Sequence, residues 1–575
     1  MKVIGLFIAG PNTAACLFID GKLIAMAEEE RFNRIKTSSE IFPTQSIKFC
    51  LKEANLKLND IDEIALGWNY SSYPEKMNTH MSSIAGRELD PFADTAEGII
   101  HAKLSPELTK FNVGIALKKI DETADVKISW HAHHKCHVAS THYLSGFDSS
   151  AILVMDGSGE EIATSTWHGQ GGELSIIDQW DLPHSLGWFY SAITEWLGFS
   201  AYSGEGKVMG LAPYGNPNAE VAEKLKKFCV PDDKIIYKID PTYVYYGKRS
   251  YSRKFTDKLV DLLGAARRPE SEMSQYYIDV AYEVQKRLED VAINLAKELL
   301  AKTGERKLCV SGGVAMNCKM NGLLSNLEGV DDIFINPASY DAGAALGAAL
   351  LAIKKAGQSP TETELTHAYW GPSFSDDEIE SALKHCGLTY TKHENIAQET
   401  AKLLNDNKII GWFQGKAEFG ARALGARSII ANPMHPDMKD IINKKVKYRE
   451  GFRPFAPSMI AEVAEKYMID PKYSPFMILA YQFKDEYKEL FPSIVHVDDS
   501  VRPQTVTKDS NPIYWETISK FGELSGYPVV LNTSFNIRGE PIVNTPLEAV
   551  RCFYSTGMDA LAIGSFLLKK TRFLA

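Results

Sequence analysis

One strand pattern occurs twice within the first 181 residues, and this repeat limits the possible folds more than any other feature of the chain. VIGLFIA, AACLFIDG and KLIAMAEEER follow one another from Val3, and Asp20-Gly21 supplies the positive-φ turn between the second and third segments. AILVMDGSGE, EIATSTWHG and LSIIDQWD repeat the arrangement from Ala151. Mainly helical sequence follows each set. A period of about 150 residues is too long for a solenoid. The pattern therefore predicts an internally duplicated α/β domain.

That duplication is similar to the actin/hexokinase-like (ASKHA) fold, which holds a nucleotide in the cleft between its halves. Further on, Ser271–Lys302 has apolar residues every three or four positions and reads as a long helix. KLCVSGGVAMNCKMNGLL reads as strand, glycine turn and helix, and Asp341 opens the small-residue helix AGAALGAALLAI. Gly, Pro, Ser and Thr break every period across 356–372, which marks a domain boundary. A chain of 575 residues exceeds one hydrophobic core. A first domain over 1–360 and a second α/β domain over 361–575 are expected.

The net charge of −10 argues against general nucleic-acid binding, which needs a broad basic face. Lys416 to Arg453 runs the other way, with nine Lys/Arg against four Asp/Glu. A pocket for a small polyanion has that composition, as does a solvated basic face. The eight cysteines stand singly with no CxxC pair, which fits a reducing cytoplasm rather than a disulfide framework or zinc ribbon. No apolar run reaches the ~18 residues of a membrane span, and Met1–Leu6 enters a strand pattern without a signal-peptide layout. A cytoplasmic protein without a membrane partner is expected; a homodimer is compatible with the sequence.

His133 and His137 lie four apart at the start of a helical pattern, so both imidazoles share one face. Asp156 ends an apolar strand, followed by Gly157 and Gly159, which allow close backbone approach to a phosphate. Asp341 completes a candidate set of two histidines and two aspartates suited to a divalent ion such as Fe, Mn or Zn. The bland reading is a satisfied core histidine pair and a helix-capping acid.

Ser311-Gly312-Gly313-Val314-Ala315-Met316-Asn317 is a strand-to-helix glycine turn, and Gly204–Gly210 is a second glycine-rich stretch containing Glu205 and Lys207. Backbone amides at such turns make anion sites, although tight turns look the same and neither matches a Walker motif. The second domain is richer in signals. Arg422, Arg427 and Ser428 lie among small residues in GKAEFGARALGARS. Lys447, Arg449 and Arg453 alternate with Phe and Pro in KYREGFRPFAP. Arginine forks bind phosphate or carboxylate bidentately, so this density points to a shaped anion pocket. Arg502 lies beyond it, and Asn532 and Ser534 follow the strand YPVVLN. Surface ion pairing is the alternative.

Taken in order, HHKCHVAS, DGSGE, GEGKVMGLAPYG, SGGVAMN, the EFGARALGARSI segment, KYREGFRPFAP, HVD with RPQTV, and NTSFNIRGEPIV resemble the motifs of the NodU/CmcH/TobZ O-carbamoyltransferases. The resemblance spans nearly the whole chain. It implies a tRNA-threonylcarbamoyltransferase-like domain of the actin-like fold followed by a YrdC-like α/β domain. It also implies ATP and carbamoyl phosphate as co-substrates, a carbamoyl-adenylate intermediate, and transfer to a hydroxylated small molecule, in this family a specialised metabolite.

By motif, His133, His137, Asp156 and Asp341 would ligate an iron-type ion (Fe2+, with Mn2+ or Zn2+ accommodated by the same ligands). Gly157, Gly159, Lys207, Gly312, Gly313 and Asn317 would meet the nucleotide in the first domain. Lys447, Arg449 and Arg453 would act on carbamoyl phosphate and ATP, with Arg422, Arg427, Ser428, Arg502, Asn532 and Ser534 around them. One departure stands out: family members carry His-Asp-Ser-Ala in the first hairpin, where this chain has Gly10-Pro11-Asn12-Thr13-Ala14-Ala15. Glu205 is then a candidate for the acceptor-side acid–base role. A tRNA-modifying threonylcarbamoyl transferase and an ATP-binding regulator without transfer are the alternatives. The net charge weighs against the first, and the arginine-rich second domain against the second.

Overall fold

The computed structural model describes residues 1–70, 82, 106–246, 253–360 and 364–570. The chain divides into two compact units: Met1–Ile24 with Glu40–Glu364, and Ala25–Ser39 with Leu365–Ala575. The excursion of Ala25–Ser39 into the second unit has no counterpart in the two-block division read from the sequence. Residues 361–363 of the expected linker lie outside the described residues.

The first unit contains two five-stranded sheets of the same design. One has the order β3-β2-β1-β4-β5, built from β1 (Lys2–Phe7), β2 (Ala14–Ile19), β3 (Lys22–Glu28), β4 (Glu63–Leu66) and β5 (Lys127–Trp130). The other, β12-β11-β6-β7-β8, uses β6 (Ser149–Gly159), β7 (Ile162–Gln170), β8 (Glu173–Asp181), β11 (Lys307–Ser311) and β12 (Asp332–Ile335). In each, the central strand pairs antiparallel with its hairpin partner (β1 with β2, β6 with β7) and parallel with a later strand (β1 with β4, β6 with β11). The duplication read from the repeated strand pattern is thus present in the topology. A small ribbon of β9 (Cys229–Asp232) and β10 (Ile236–Ile239) lies outside both sheets.

Helix His133–His142 follows β5, and helix Ala342–Lys355 follows β12, so they occupy corresponding places in the two halves. The small residues of AGAALGAALLAI let this helix pack at backbone distance. A Cβ at Gly347 would overlap the Cys136 carbonyl oxygen, and one at Gly5 the Ala345 carbonyl oxygen. The long helix spans Gln275–Thr303 and stops at Gly304, whose φ of 71° gives a left-handed cap.

The second unit centres on an eight-stranded mixed sheet, β13-β22-β21-β14-β15-β20-β16-β19. Its strands are β13 (Thr391–Lys392), β14 (Ile410–Phe413), β15 (Arg427–Ala431), β16 (Ala456–Ile460), β19 (Gln504–Val506), β20 (Val529–Ser534), β21 (Ala560–Ile563) and β22 (Phe566–Lys569). A separate pair joins β17 (Tyr481–Gln482) and β18 (Ser500–Val501). Trp412, Ile430 and Val530 from the sheet pack against Tyr514, Ile518 and Phe521 of helix Pro512–Ser525. Asn511 caps that helix by accepting from the Tyr514 amide, and Pro512 opens its first turn. Among the described residues no helix is long and apolar enough to cross a membrane, and all eight cysteines are free thiols.

Candidate metal and anion sites

Four elements of the first unit converge on one point. His133 and His137 come from the first turns of their helix, Asp156 from β6, and Asp341 from the start of helix Ala342–Lys355. Their donor atoms all lie within 4.8 Å of one another. His133 Nε2 is 3.0 Å from His137 Nε2, 3.3 Å from Asp156 Oδ2 and 3.8 Å from Asp341 Oδ1. Donors about 2.1 Å from a common ion are separated by roughly 3 to 3.5 Å at octahedral or tetrahedral angles; the His133–His137 and His133–Asp156 separations match this, while Asp341 would move inward to join a shared ion. The alternative role of Asp341 as a helix cap is absent: its side chain accepts no capping bond from its helix.

Neighbouring groups fix the candidate ligands. His133 Nδ1 lies 3.0 Å from the Gly67 carbonyl and so carries a proton, which leaves Nε2 as the nitrogen that faces the cluster. Ser311 Oγ lies 3.3 Å from His137 Nδ1. Glu160 accepts from the His133 amide at 3.1 Å and from the Asn69 amide at 2.6 Å, which anchors the start of the histidine helix. Glu160 belongs to the DGSGE motif, and only that motif could have flagged it. Burial alone would depress His133, but its hydrogen bond to Asp156 and the charges of Asp341, Asp156 and Glu160 lift it to about 9. Burial and the charge of Asp156 raise Asp341 to about 7. Two carboxylates and two imidazoles this close need an intervening positive charge, which a proton or a metal ion supplies.

The glycine turns have more specific duties than phosphate approach. At Gly312, with φ 88°, a Cβ would overlap the Met155 carbonyl oxygen. The Gly313 amide donates to Asp156 Oδ1 at 2.9 Å, so it is spent on a candidate ligand. A Cβ at Gly159 would lie 2.5 Å from His133 Cδ2, and one at Gly157 3.1 Å from Trp188 Nε1. Asn317 caps the helix Cys318–Ser325 and pairs with Gln285. Glu205 and Lys207 lie outside the metal cluster. Glu205 accepts from Ser191 Oγ at 2.6 Å and the Tyr202 amide at 2.8 Å, and its burial raises its pKa. Lys207 Nζ stands 5.2 Å over the Phe199 ring. The variant hairpin comes close to the cluster: Gly10's Cβ position is 3.5 Å from Asp341 Oδ2.

In the second unit, Lys447 ends a π-helical turn, Asn443–Lys447, after which Tyr448 turns left-handed at φ 48°. The buried ammonium reaches the Ser534 carbonyl (2.5 Å), Ser534 Oγ (3.1 Å), the Asn536 carbonyl (3.1 Å) and Asn536 Oδ1 (2.8 Å). Arg449 Nε donates to Asn443 Oδ1 at 2.8 Å, and its guanidinium lies 4.6 Å over Phe455. Burial, then Arg453 and Arg502, push Arg449 down to about 9. Burial also lowers Arg453, with Arg502 and Arg538 adding to the depression against the opposing charge of Glu450. Glu450 lies 3.9 Å from both Arg453 and Arg538. Asn536 and Arg538 sit in the NTSFNIRGEPIV motif but were not singled out from the sequence.

Three expected pocket residues are placed differently. Arg427 is fully buried on β15, with Nη1 donating to the Gln414 and Ala426 carbonyls and Nη2 to those of Pro372 and Gly415. It stacks 3.7 Å over Phe413 and holds backbone, not ligand. Ser428 is equally buried and accepts from the Gly425 amide. Asn532 Nδ2 donates to the Ala423 carbonyl at 3.2 Å and Ser458 Oγ at 3.0 Å. The cause is the pleat: β15 and β20 are interior strands, and these side chains lie within the unit's packing. Arg422, by contrast, is itself half-buried, beside the exposed Ala421 in the otherwise buried Gly420–Gly425 loop.

A family model described as "Carbamoyltransferase N-terminus" matches residues 2–350, and one described as "Carbamoyltransferase C-terminus" matches residues 401–570. An uncharacterized protein of Synechocystis sp. is 37% identical over 99% of this chain and 97% of its own length. Nodulation protein NolNO of Sinorhizobium fredii is 35% identical, covering 97% of this chain and 80% of its own. Among solved structures, component A of the (R)-2-hydroxyglutaryl-CoA dehydratase of Acidaminococcus fermentans covers 62% of this chain and 100% of its own, at 16% identity and a TM-score of 0.32, a likeness too slight to carry argument.

Proposed function

Since the chain belongs to the carbamoyltransferase family and is a transferase enzyme, we propose that it is an ATP-dependent O-carbamoyltransferase working through carbamoyl-adenylate. The first unit is read as actin-like, supported by its two matching sheets, and the second as YrdC-like. The observation that carries the reading is the cationic cluster of the second unit. Arg453 and Arg538 each lie 3.9 Å from Glu450, Arg449 feels the charges of Arg453 and Arg502, Lys447 feels those of Arg449 and Arg453, and Arg449 and Arg453 are both depressed by burial and by their neighbours' charge. Such mutual repulsion is relieved by a bound polyanion.

In this reading water cleaves carbamoyl phosphate to carbamate and phosphate beside that cluster. A carbamate oxygen then attacks the α-phosphorus of ATP, and the bond to pyrophosphate breaks with its electron pair leaving on pyrophosphate. Lys447, Arg449 and Arg453 bind and orient the phosphates and offset the developing negative charge. In the first unit, the acceptor hydroxyl oxygen attacks the carbamoyl carbon and AMP departs with the bonding pair. Glu205, with its pKa raised by burial, is assigned to take the hydroxyl proton. His133, His137, Asp156 and Asp341 would hold a divalent ion (Fe2+, Mn2+ or Zn2+), which when bound supplies positive charge toward the nucleotide phosphates. The acceptor is assigned as a hydroxylated specialised metabolite.

The test is release of pyrophosphate and AMP from ATP by the purified protein, with and without carbamoyl phosphate, against a panel of hydroxylated acceptors. Release that requires carbamoyl phosphate and is abolished by Arg453→Ala supports the adenylating half. ATP left intact, or converted only to ADP, overturns it in favour of an ATP-binding regulator.

A further inference from the structure

We propose that Arg31 and Arg34 are positioning residues for the carbamoyl phosphate and ATP pocket, and that Ala25–Ser39 is a working part of the second unit. The inference rests on the assignment of that pocket above.

Arg31 is buried, and its Nη2 donates to the Gly420 carbonyl at 2.7 Å, while Nε reaches Glu28 at 3.3 Å. Gly420, at φ 94°, begins the loop that carries Arg422. Arg34 spans two successive carbonyls, Ile542 (2.6 Å) and Pro541 (2.7 Å), and lies 3.3 Å from Glu548. The carbonyl just before these, on Glu540, accepts from Asn536 Nδ2 at 2.7 Å. Asn536 Oδ1 in turn accepts from Lys447 Nζ at 2.8 Å and Ser534 Oγ at 2.7 Å. A short hydrogen-bonded path thus runs from Arg34 through one turn of backbone to the lysine at the centre of the cluster. Arg34 meets the two adjacent carbonyls with separate nitrogens held in a rigid planar fork, a geometry that the single nitrogen of a lysine does not reproduce.

The segment's own backbone points the same way. Arg34, Thr37 and Ser38 all have left-handed φ, at 63°, 64° and 43°. Non-glycine residues keep that conformation only where the surroundings over-determine it. Asn33 Oδ1 accepts from the Ile35 amide and Ser38 Oγ, and Glu30 accepts from Lys36 and the Thr37 amide, so the turn is braced internally. The brace aims Arg34 at Pro541 and Ile542.

The experiment compares full-length wild type, Arg34→Ala, Arg34→Lys and Arg31→Ala by carbamoyl-phosphate-dependent pyrophosphate release, inorganic pyrophosphate binding by calorimetry, and thermal melting. Losing charge-assisted bonds that orient the cluster is expected to raise KM and the pyrophosphate Kd by about 10- to 100-fold in Arg34→Ala. Arg34→Lys should remain impaired, and added methylguanidine should partly restore Arg34→Ala. A fall in kcat that merely tracks lost folded protein, with KM and Kd unchanged, overturns the inference, as do unchanged kinetics. If the wild type releases no pyrophosphate but its anion binding still depends on Arg34, the proposed reaction fails and the positioning role stands. If the wild type neither turns over nor binds pyrophosphate, both fall.

Discussion

The backbone amide of Gly313 donates to Asp156 Oδ1 at 2.9 Å, so a glycine turn after β11 aims a carboxylate carried by β6. A Cβ on Gly313 would lie 3.0 Å from that same oxygen. Gly313→Ala is therefore expected to push the carboxylate off its line and weaken divalent-ion binding about tenfold, the scale typical of disturbed supporting groups. Competition with a chelator measures it, and unchanged affinity would remove the turn from the site.

The 3.0 Å approach of the His133 and His137 Nε2 atoms carries a second expectation. Mn2+ added to dialysed wild type should raise the melting temperature, since a ligand at 100 times its Kd stabilises by about 2.7 kcal/mol. His137→Ala should lose most of that shift while still releasing pyrophosphate. A full shift in the variant would argue that the ion binds elsewhere.

Arg427 and Arg453 should separate stability from activity. Arg427 is fully buried and satisfies four backbone carbonyls, so Arg427→Met should cost about 3 kcal/mol or more of stability. Arg453 is partly exposed, and its ion pair with Glu450 is long, at 3.9 Å. Arg453→Ala should melt close to wild type and lose pyrophosphate release. Urea unfolding and the release assay on the same preparations decide the matter; equal destabilisation would contradict it.

Lys254 offers a test in pH. It is fully buried, with Nζ bonded to the Tyr202 hydroxyl and lying 3.9 Å over Trp188. Burial lowers it to about 7 against the opposing charges of Glu195 and Glu205. Between about 7 and the ordinary 10.5 the unfolded chain binds the proton and the folded one does not, so folding gains stability as pH rises, by about 1.4 kcal/mol per unit. Below 7 the penalty is constant, and above 10.5 it vanishes. Lys254→Met removes it, so the variant's advantage should shrink steadily from pH 7 to pH 9.5 in urea midpoints. A pH-independent gap would mean the lysine stays charged.

Much of the framework was legible because it depends on neighbours in sequence. Alternating apolar residues marked the two sets of strands, and Gly304 marks the end of the long helix. The HxxxH spacing sets two imidazoles on one helix face without any tertiary contact. The small-residue helix was visible too, but its reason was not: Gly347 is small because the Cys136 carbonyl lies against it. Arginines chosen by motif divided into two kinds that look alike in sequence. Arg453 stays at the cluster, whereas Arg427 turns into the unit's interior.

The sequence by itself determined the element types, the duplicated hairpins and the residue kinds able to ligate an ion or an anion, because propensity, periodicity and capping act within a few residues. Only the tertiary structure decided which cations gather in the cluster and which spend their donors on backbone. It also recruited Ala25–Ser39 to the second unit. Arg31 finds its carbonyl 389 residues away and Arg34 finds one 508 residues away. A buried guanidinium must satisfy its donors wherever packing presents acceptors, and no local spacing encodes where those acceptors will be.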